Sequence, residues 1–281
     1  MKQRVLTSVV LIAIMLLLAI FSGYIVYPIG LAAFAVISLF EILRVVGVDK
    51  KPPLAIPAYL LAAAFPISAY FVGRDNSAYF LLILAAGMFV YMLWLMGVSV
   101  FSRGKIPFMR ISEVFTVTVY VTVSYTSLAL LRYQDRDYGI FTVVLAFLIP
   151  WICDSFAYIC GRLFGKHKLI PEVSPKKTVE GAIGGSIFSV LACLVYGLGI
   201  DFIFNEARVD YLVLLILGAV LSVVSQLGDL TASLIKREYG AKDYGTIFPG
   251  HGGIMDRFDS VLAVSTILLI LTLIFPPFTF A

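Results

Sequence analysis

The chain has 281 residues, of which 61% are hydrophobic and only 14% are charged, and its formal net charge is +4. Ordinary soluble domains carry about 25% charged residues, so this chain has too few charges to cover the surface of a water-soluble fold. Its mean hydropathy of +1.01 indicates a protein that is solvated mainly by a lipid bilayer. Two histidines and three cysteines, none at CxxC spacing, disfavour a histidine zinc site and a disulfide framework.

Apolar runs of about 20 residues, the length that crosses a bilayer, recur along the whole sequence. Short segments containing charges, Gly or Pro separate them. The first run resembles a signal peptide, but it exceeds the roughly 7–15 apolar residues of such a peptide, so we predict that it stays as a helix. The predicted transmembrane helices, about nine in all, are Val5–Phe21, Tyr24–Val46, Leu54–Val72, Ala78–Phe101, Ser112–Leu131, Gly139–Leu163, Thr178–Ile200, Tyr211–Ile235 and Phe258–Phe280.

Lys and Arg fall unevenly on the two sides that these spans define. Of the 21 in the chain, all lie on the side of the N-terminus except Arg74, Arg132, Arg136 and Arg208. The positive-inside rule therefore predicts a cytoplasmic N-terminus and a multi-pass protein of the inner (plasma) membrane. Topology and attraction to anionic membrane lipids explain the basic residues at the membrane edges, so we expect no nucleic-acid partner.

The run Tyr211–Ile235 and its tail carry a polar stripe on one helical face. Its members lie three, four, seven or eight residues from Asp229, which places them on the same side of a helix. They are Ser222, Ser225, Gln226, Ser233, Lys236 and Arg237. An ionised Asp within a membrane costs roughly 2.5–3.5 kcal/mol. Two interpretations stay open: Asp229 pairs with a Lys or Arg of a neighbouring span, or it binds a metal or another ion.

Five glycines, with charged residues between them, punctuate the segment that joins the last two predicted spans. They are Gly240, Gly245, Gly250, Gly252 and Gly253. Such a backbone approaches a ligand closely and presents N–H groups to anions. We predict that the next helix begins near 254–256, so its N-terminus favours a negative charge or a bound phosphate. This mixture of acids and bases suits a nucleoside triphosphate with Mg²⁺; the alternative is a capped helix with solvated charges.

The segment Ser174–Gly181 predicts a helix start, with Ser174 as the N-cap and Pro175 at the first helical position. Lys176 and Lys177 would then oppose the helix dipole, so we expect them to bind an anion, the phosphate of a lipid or of a nucleotide. Upstream, Asp154 lies within a predicted span. It either pairs with a basic residue inside the protein or contacts a metal or nucleotide.

The stretch Ser233–Asp259 reads SLIKREYGAKDYGTIFPGHGGIMDRFD. It resembles, at every fixed position, the signature of the phosphatidate cytidylyltransferase (CDP-diacylglycerol synthase) family. The stretch Asp154–Gly181 is also similar to that family, through the patterns D-x-x-A-Y-x-x-G-R, F-G-K-H-K-L and S-P-K-K-T-x-E-G. A string with so many fixed positions is far more specific than a short glycine motif, although motif-grade similarity covers only residues 154–259.

The resemblance implies an all-α polytopic membrane protein that forms one membrane domain over residues 1–281 and a homodimer. Residues 1–135 would supply scaffold and dimer contacts, and residues 139–281 the catalytic helices and cytoplasmic loops. The implied ligands are CTP, phosphatidate and Mg²⁺, with a second cation, K⁺, nearby. Asp229 and Asp256 would bind the metal and, with Lys236 and Arg257, catalyse the reaction. The implied substrate-binding residues are Asp154, Lys176, Lys177, Ser233, Arg237, Lys242, Asp243, His251, Gly252, Gly253 and Asp259.

The implied reaction is attack by a phosphatidate oxygen on the α-phosphorus of CTP, with expulsion of pyrophosphate. This nucleophile is already anionic, so catalysis requires positioning and electrostatic stabilisation rather than a Ser, Cys or His nucleophile. Two alternatives stay open. One is a related CTP-dependent enzyme that acts on another lipid phosphate or a polyprenol. The other is a cation-coupled transporter that uses Asp154 and Asp229, although a transporter has no need for the charged glycine segment.

Overall fold

The computed structural model describes residues 13–15, 17–73, 76–135, 139–204, 206–248 and 252–280. Within these ranges, eight helices are long and apolar enough to cross a membrane. They are α1 (Val26–Val46), α2 (Pro52–Ser68, continued by a π-helical turn at Ala69–Gly73), α3 (Ser77–Phe101), α4 (Phe108–Tyr133), α5 (Gly139–Phe164), α6 (Val179–Ile203), α7 (Tyr211–Glu238) and α8 (Met255–Ile274). They confirm the all-α membrane fold and the last eight predicted spans. The first predicted span, Val5–Phe21, lies mostly outside the described residues.

The C-terminal end differs from its predicted helical span, which reached Phe280. Helix α8 ends at Ile274, and Pro276 and Pro277 follow it. Proline cannot continue a helix because it lacks the N–H group that donates to the preceding turn. After the prolines, the chain forms a short strand that pairs antiparallel with another strand before α7. The two strands are β3 (Ala207–Val209) and β4 (Phe278–Phe280).

The segment between α5 and α6 forms a β-hairpin rather than a helix start. Its strands are β1 (Lys168–Ile170) and β2 (Ser174–Thr178), paired antiparallel. The predicted helix start at Ser174 and Pro175 is therefore wrong. The N-cap of α6 is Thr178, whose hydroxyl accepts the N–H of Gly181 at 3.2 Å. A two-stranded hairpin has only edge strands, where Pro is tolerated, so Pro175 did not distinguish the two structures.

The described chain divides into two compact units. The first comprises residues 1–140 and 238–258, and the second comprises residues 141–237 and 259–281. The segment 238–258, which our sequence division placed with the C-terminal helices, thus packs with the N-terminal ones. In the first unit, α1 packs against α2 and α4, and the hydroxyls of Ser38 and Tyr125 are hydrogen-bonded at 2.9 Å in the buried interface.

In the second unit, small residues let α5 and α6 approach closely. A Cβ atom added to Gly181 would lie 2.5 Å from the carbonyl oxygen of Ala157. A Cβ atom on Gly185 would lie 2.6 Å from the carbonyl oxygen of Cys153. Neither position therefore accepts a side chain without moving backbone. This G-x-x-x-G step fixes the N-terminal end of α6 against α5, and the β-hairpin leads directly into that end.

Candidate active site

A cavity of about 340 Å³ lies within the second unit, and we call it the hairpin cavity. Strands β1 and β2 contribute to it together with α5, α6 and α7. Its volume is at the lower end of the range for small-ligand sites, roughly 300–1,000 Å³. Apolar and charged groups share its wall. The polar and charged lining residues are Asp154, Tyr158, Arg162, Lys176, Lys177, Thr178, Gln226 and Asp229.

Asp229 forms an ion pair with Lys177, and both side chains are 26% exposed. The hydroxyl of Ser233, one turn further along α7, donates to the Asp229 carboxylate at 3.4 Å. Asp229 thus has a basic partner, as one of the two interpretations predicted, and its binding of an ion stays a prediction. The partner lies in the hairpin rather than in a neighbouring span. The pair links β2 to α7 across the cavity.

The polar stripe of α7 is only partly directed at the cavity. The Gln226 amide donates to the Ser186 hydroxyl at 3.2 Å and to the carbonyl oxygen of Ala182 at 3.3 Å, both on α6. Ser222 is fully buried, and its hydroxyl donates to a carbonyl oxygen of its own helix. The stripe therefore serves two roles. Its N-terminal part joins α7 to α6, and its C-terminal part, from Asp229 onward, carries charge.

Three carboxylates of the second unit interact electrostatically. Asp259, near the start of α8, is under the influence of the charges of Asp229, Asp154 and Lys236. Gly228 makes this approach possible, because a Cβ atom there would lie 3.0 Å from the carbonyl oxygen of Asp259. The sequence predicted a site role for Asp259 only from the family signature. The structure brings it together with the two other acids.

The donor chemistry of this carboxylate cluster suits a hard divalent cation, because carboxylate and hydroxyl oxygens are the ligands that Mg²⁺ prefers. The Lys177 ammonium group pairs with Asp229, and the charge of Lys236 acts on Asp259. Among the residues described, however, no three His, Cys, Asp or Glu side chains are already arranged as a metal site.

In the first unit, Asp256 organises the described part of the segment 240–254, residues 240–248 and 252–254, which we call the glycine loop. Its carboxylate accepts the N–H groups of Tyr244 at 2.8 Å and of Gly253 at 2.9 Å. Gly252 has a positive φ of 85°, and a Cβ atom there would lie 2.6 Å from the same carboxylate. Gly253 therefore donates to Asp256 and Gly252 leaves room for it, while ligand contact by either glycine stays a prediction.

A second carboxylate, which sequence reasoning missed, lies inside the glycine loop. Glu41 of α1 accepts the N–H groups of Ile254 at 3.2 Å and of Met255 at 2.9 Å. The negative charge expected at the N-terminus of α8 thus comes from the chain itself, whereas we had also allowed a bound phosphate there. One signal was available: Glu41 is the only acidic residue in the Tyr24–Val46 span.

The remaining predicted residues are mostly exposed and close to these two sites in sequence. Lys176, Arg237, Lys242, Asp243 and Arg257 are exposed, whereas Lys236 is only 9% exposed. His251 lies outside the described residues.

A further contact that the sequence did not predict braces the base of the hairpin. The Glu180 carboxylate accepts the N–H groups of Lys166 at 3.1 Å and of His167 at 3.2 Å. It also contacts the His167 ring nitrogen Nδ1 at 2.6 Å. The strands that carry Lys176 and Lys177 are thereby tied to the first turn of α6.

Comparison with known proteins places these features in a family context. Residues 2–275 match a model described as the cytidylyltransferase family. A phosphatidate cytidylyltransferase of Staphylococcus epidermidis is 35% identical over 271 residues, which cover 96% of this chain and 98% of that protein. The Staphylococcus haemolyticus protein of the same name is 36% identical over 275 residues, with the same coverage. The Bacillus subtilis protein is 34% identical over 277 residues, covering 98% of both chains.

Proposed function

This chain belongs to the cytidylyltransferase family, and we propose that it transfers the cytidylyl group of CTP to phosphatidate, giving CDP-diacylglycerol and pyrophosphate. Its similarity over nearly full length to phosphatidate cytidylyltransferases supports this reaction. The structural observation that carries the proposal is the hairpin cavity. There, three cationic side chains and two carboxylates share a wall with apolar residues, in a unit built from membrane-spanning helices.

The hairpin cavity suits the head group of a lipid phosphate. Arg162, Lys176 and Lys177 supply charge-assisted donors for phosphate oxygens. Ala157 and Leu169 supply an apolar wall beside them. A substrate that is charged at one end and apolar at the other satisfies both surfaces, whereas a free nucleotide satisfies only the first. We therefore assign the phosphate of phosphatidate to this cavity.

The transfer forms one bond and breaks one bond. An oxygen of the phosphatidate phosphomonoester attacks the α-phosphorus of CTP, and the bond to the bridging oxygen of the β-phosphate breaks to release pyrophosphate. Two anions must approach each other, so the chain's contribution is to neutralise charge and to hold the reactants in line. Lys236, Arg237, Lys242, His251 and Arg257 are our candidates for contacts with the phosphates of CTP.

Mg²⁺ is the expected metal, and we assign it to Asp229 and Asp256, with K⁺ as the expected second cation. When bound, such a divalent cation neutralises phosphate charge and orients the triphosphate. The oxygen donors of the carboxylate cluster in the second unit support the Asp229 part of this assignment. Asp256 belongs to the first unit, and its part rests on the family signature. Lys177 is paired with Asp229 in the structure, so its ammonium group would have to move for a metal to bind there.

The orientation of the protein follows from the distribution of its basic residues. The multi-pass membrane fold is established, and the Lys and Arg bias supports an active site on the cytoplasmic face of the inner membrane. CTP then reaches the site from the cytoplasm while the acyl chains stay in the lipid. A homodimer remains our expectation for the assembly.

A labelled-nucleotide experiment tests the proposed reaction. Purified protein in detergent micelles with phosphatidate and Mg²⁺ receives CTP labelled at either the α- or the γ-phosphate. We expect the α-label to become lipid-soluble and the γ-label to be released as pyrophosphate. Transfer of the γ-label to lipid would instead indicate a kinase. Cation flux in vesicles without consumption of CTP would indicate a transporter.

A further inference from the structure

Glu41 is a carboxylate in an otherwise apolar helix, and it is 1% exposed. A buried carboxylate is costly unless hydrogen bonds compensate it. Its described hydrogen bonds come from the backbone N–H groups of Ile254 and Met255, rather than from a side chain. The charges of Arg44 and Asp256 also act on it. Glu41 lies on α1, but the hydrogen bonds that stabilise its buried carboxylate come from the end of the glycine loop and the start of α8.

The N–H groups that Glu41 accepts are those at the beginning of α8. The first N–H groups of a helix have no partner within the helix, and this end of the helix attracts negative charge. Glu41 satisfies both requirements, so it determines where α8 begins. Asp256 and Arg257 are the next two residues along that helix. Their positions are thus set by a side chain from another helix.

The glycine loop is shaped to fit around Glu41. Gly245 and Gly253 pack so closely against its carboxylate that a Cβ atom on either one would collide with it. A second tie comes from Arg44, one turn further along α1, which donates to the carbonyl oxygen of Tyr244 at 3.0 Å. Hydrogen bonds to α1 therefore fix the loop both at Tyr244 and at its C-terminal end. Asp256 links the same two parts of the loop by accepting from Tyr244 and Gly253.

We infer that Glu41 is a positioning residue for cytidylyl transfer, which holds the glycine loop in the shape that presents Asp256 and Arg257 to the substrate. It does not itself contact CTP or lipid, because its carboxylate is buried and committed to the backbone. Arg44 assists it from the protein surface. This inference rests on the proposed function, since the role of Glu41 is defined by the reaction that Asp256 and Arg257 serve.

The test compares Glu41→Gln with Glu113→Gln, a matched control in the same unit. Glu113 pairs with Arg110 at 2.9 Å and has a partly buried side chain, but no N–H group of the described loop donates to it. We expect Glu41→Gln to lower kcat by roughly 10–100-fold, the range found for groups that orient ligating residues. We expect KM for phosphatidate to change by less than about threefold, because the hairpin cavity is untouched.

Hydrogen exchange supplies the readout that distinguishes positioning from general destabilisation. In Glu41→Gln, amide exchange should accelerate in residues 243–256 and stay unchanged in α4. Arg44→Met, at an exposed side chain, should accelerate exchange in the same segment more mildly, and it serves as the second variant if Glu41→Gln does not fold.

Two outcomes would overturn the inference, and they are distinguishable. If Glu41→Gln matches Glu113→Gln in kcat and in loop exchange while the wild-type protein makes CDP-diacylglycerol, Glu41 has no positioning role and the proposed function stands. If the wild-type protein forms no CDP-diacylglycerol from CTP and phosphatidate, the proposed function is wrong, and the inference about Glu41 is then wrong as well.

Discussion

The hairpin cavity and the glycine loop both contain carboxylates, but they satisfy them in different ways. In the cavity, Asp229 is paired with the side chain of Lys177. In the loop, Glu41 and Asp256 accept backbone N–H groups. A long side chain can turn from one partner to another, whereas a backbone N–H at a helix start cannot. The comparison teaches that the cavity is built to exchange partners with a ligand and the loop to keep its shape.

The largest expected effect concerns the exchangeable carboxylate. Asp229→Asn should lower kcat by at least about 10²–10³-fold, the loss associated with removing one preorganised electrostatic group. Asp256→Asn should be similarly severe because it removes a negative charge, although the amide oxygen can still accept the N–H groups of Tyr244 and Gly253. Turnover by each variant is measured at equal folded yield. Near-normal activity in either one would contradict its catalytic assignment.

Next in size is the loss of the partner of Asp229. Lys177→Met should raise KM for phosphatidate and lower kcat/KM by about 10–100-fold, since buried charge-assisted contacts are worth about 1.5–3 kcal/mol. Lys168→Met is the matched control, because Lys168 is an exposed lysine of the same hairpin and does not line the cavity. Initial rates at varied phosphatidate give both constants. An equal response of the two variants would break the assignment of the cavity to lipid phosphate.

The fixed shape of the glycine loop predicts a stability effect. Gly252→Ala should destabilise the protein by about 1–3 kcal/mol, because a residue at positive φ is strained and its Cβ atom collides with Asp256. Gly240→Ala is the control, since Gly240 also has a positive φ, 64°, but open space around it. Thermal unfolding in detergent should show the larger loss for Gly252→Ala. Equal losses would mean that the contact with Asp256 adds nothing.

The smallest expected effect concerns the base of the hairpin. His167→Ala should change activity by about twofold or less, because a contact made by a well-exposed side chain contributes little. The His167 side chain is 78% exposed, and Glu180 still accepts the two backbone N–H groups in the variant. Glu180→Ala removes all of these contacts and should lower activity further. The reverse order would show that His167 acts on the reaction directly.

The sequence predicted the features that depend on local pattern. Apolar runs located the last eight predicted helices, and the turn chemistry near 254 located the start of α8. Asp229 was recognised because a lone acid on an apolar helix is costly wherever that helix packs. These inferences required no knowledge of which segments meet in space.

The features that the sequence did not predict depend on distant contacts. Ser174 and Pro175 read as a helix start, but pairing with β1 made a strand of them. Glu41 was overlooked because its partners are 213 and 214 residues away. The glycines were expected to make room for a ligand, and two of them instead make room for Glu41. The family signature predicts the residues of the site, but it does not show which residues position other residues of that site.

The long sequence separation of Glu41 from its partners has a consequence for biogenesis. Helix α1 leaves the ribosome and enters the bilayer well before residues 254 and 255 are synthesised. Throughout that interval its carboxylate lacks the amides that later compensate it. The growing chain therefore carries, in an early span, a carboxylate whose backbone partners are made only with the last helix. The contacts that shape the glycine loop can form only once that helix has been synthesised.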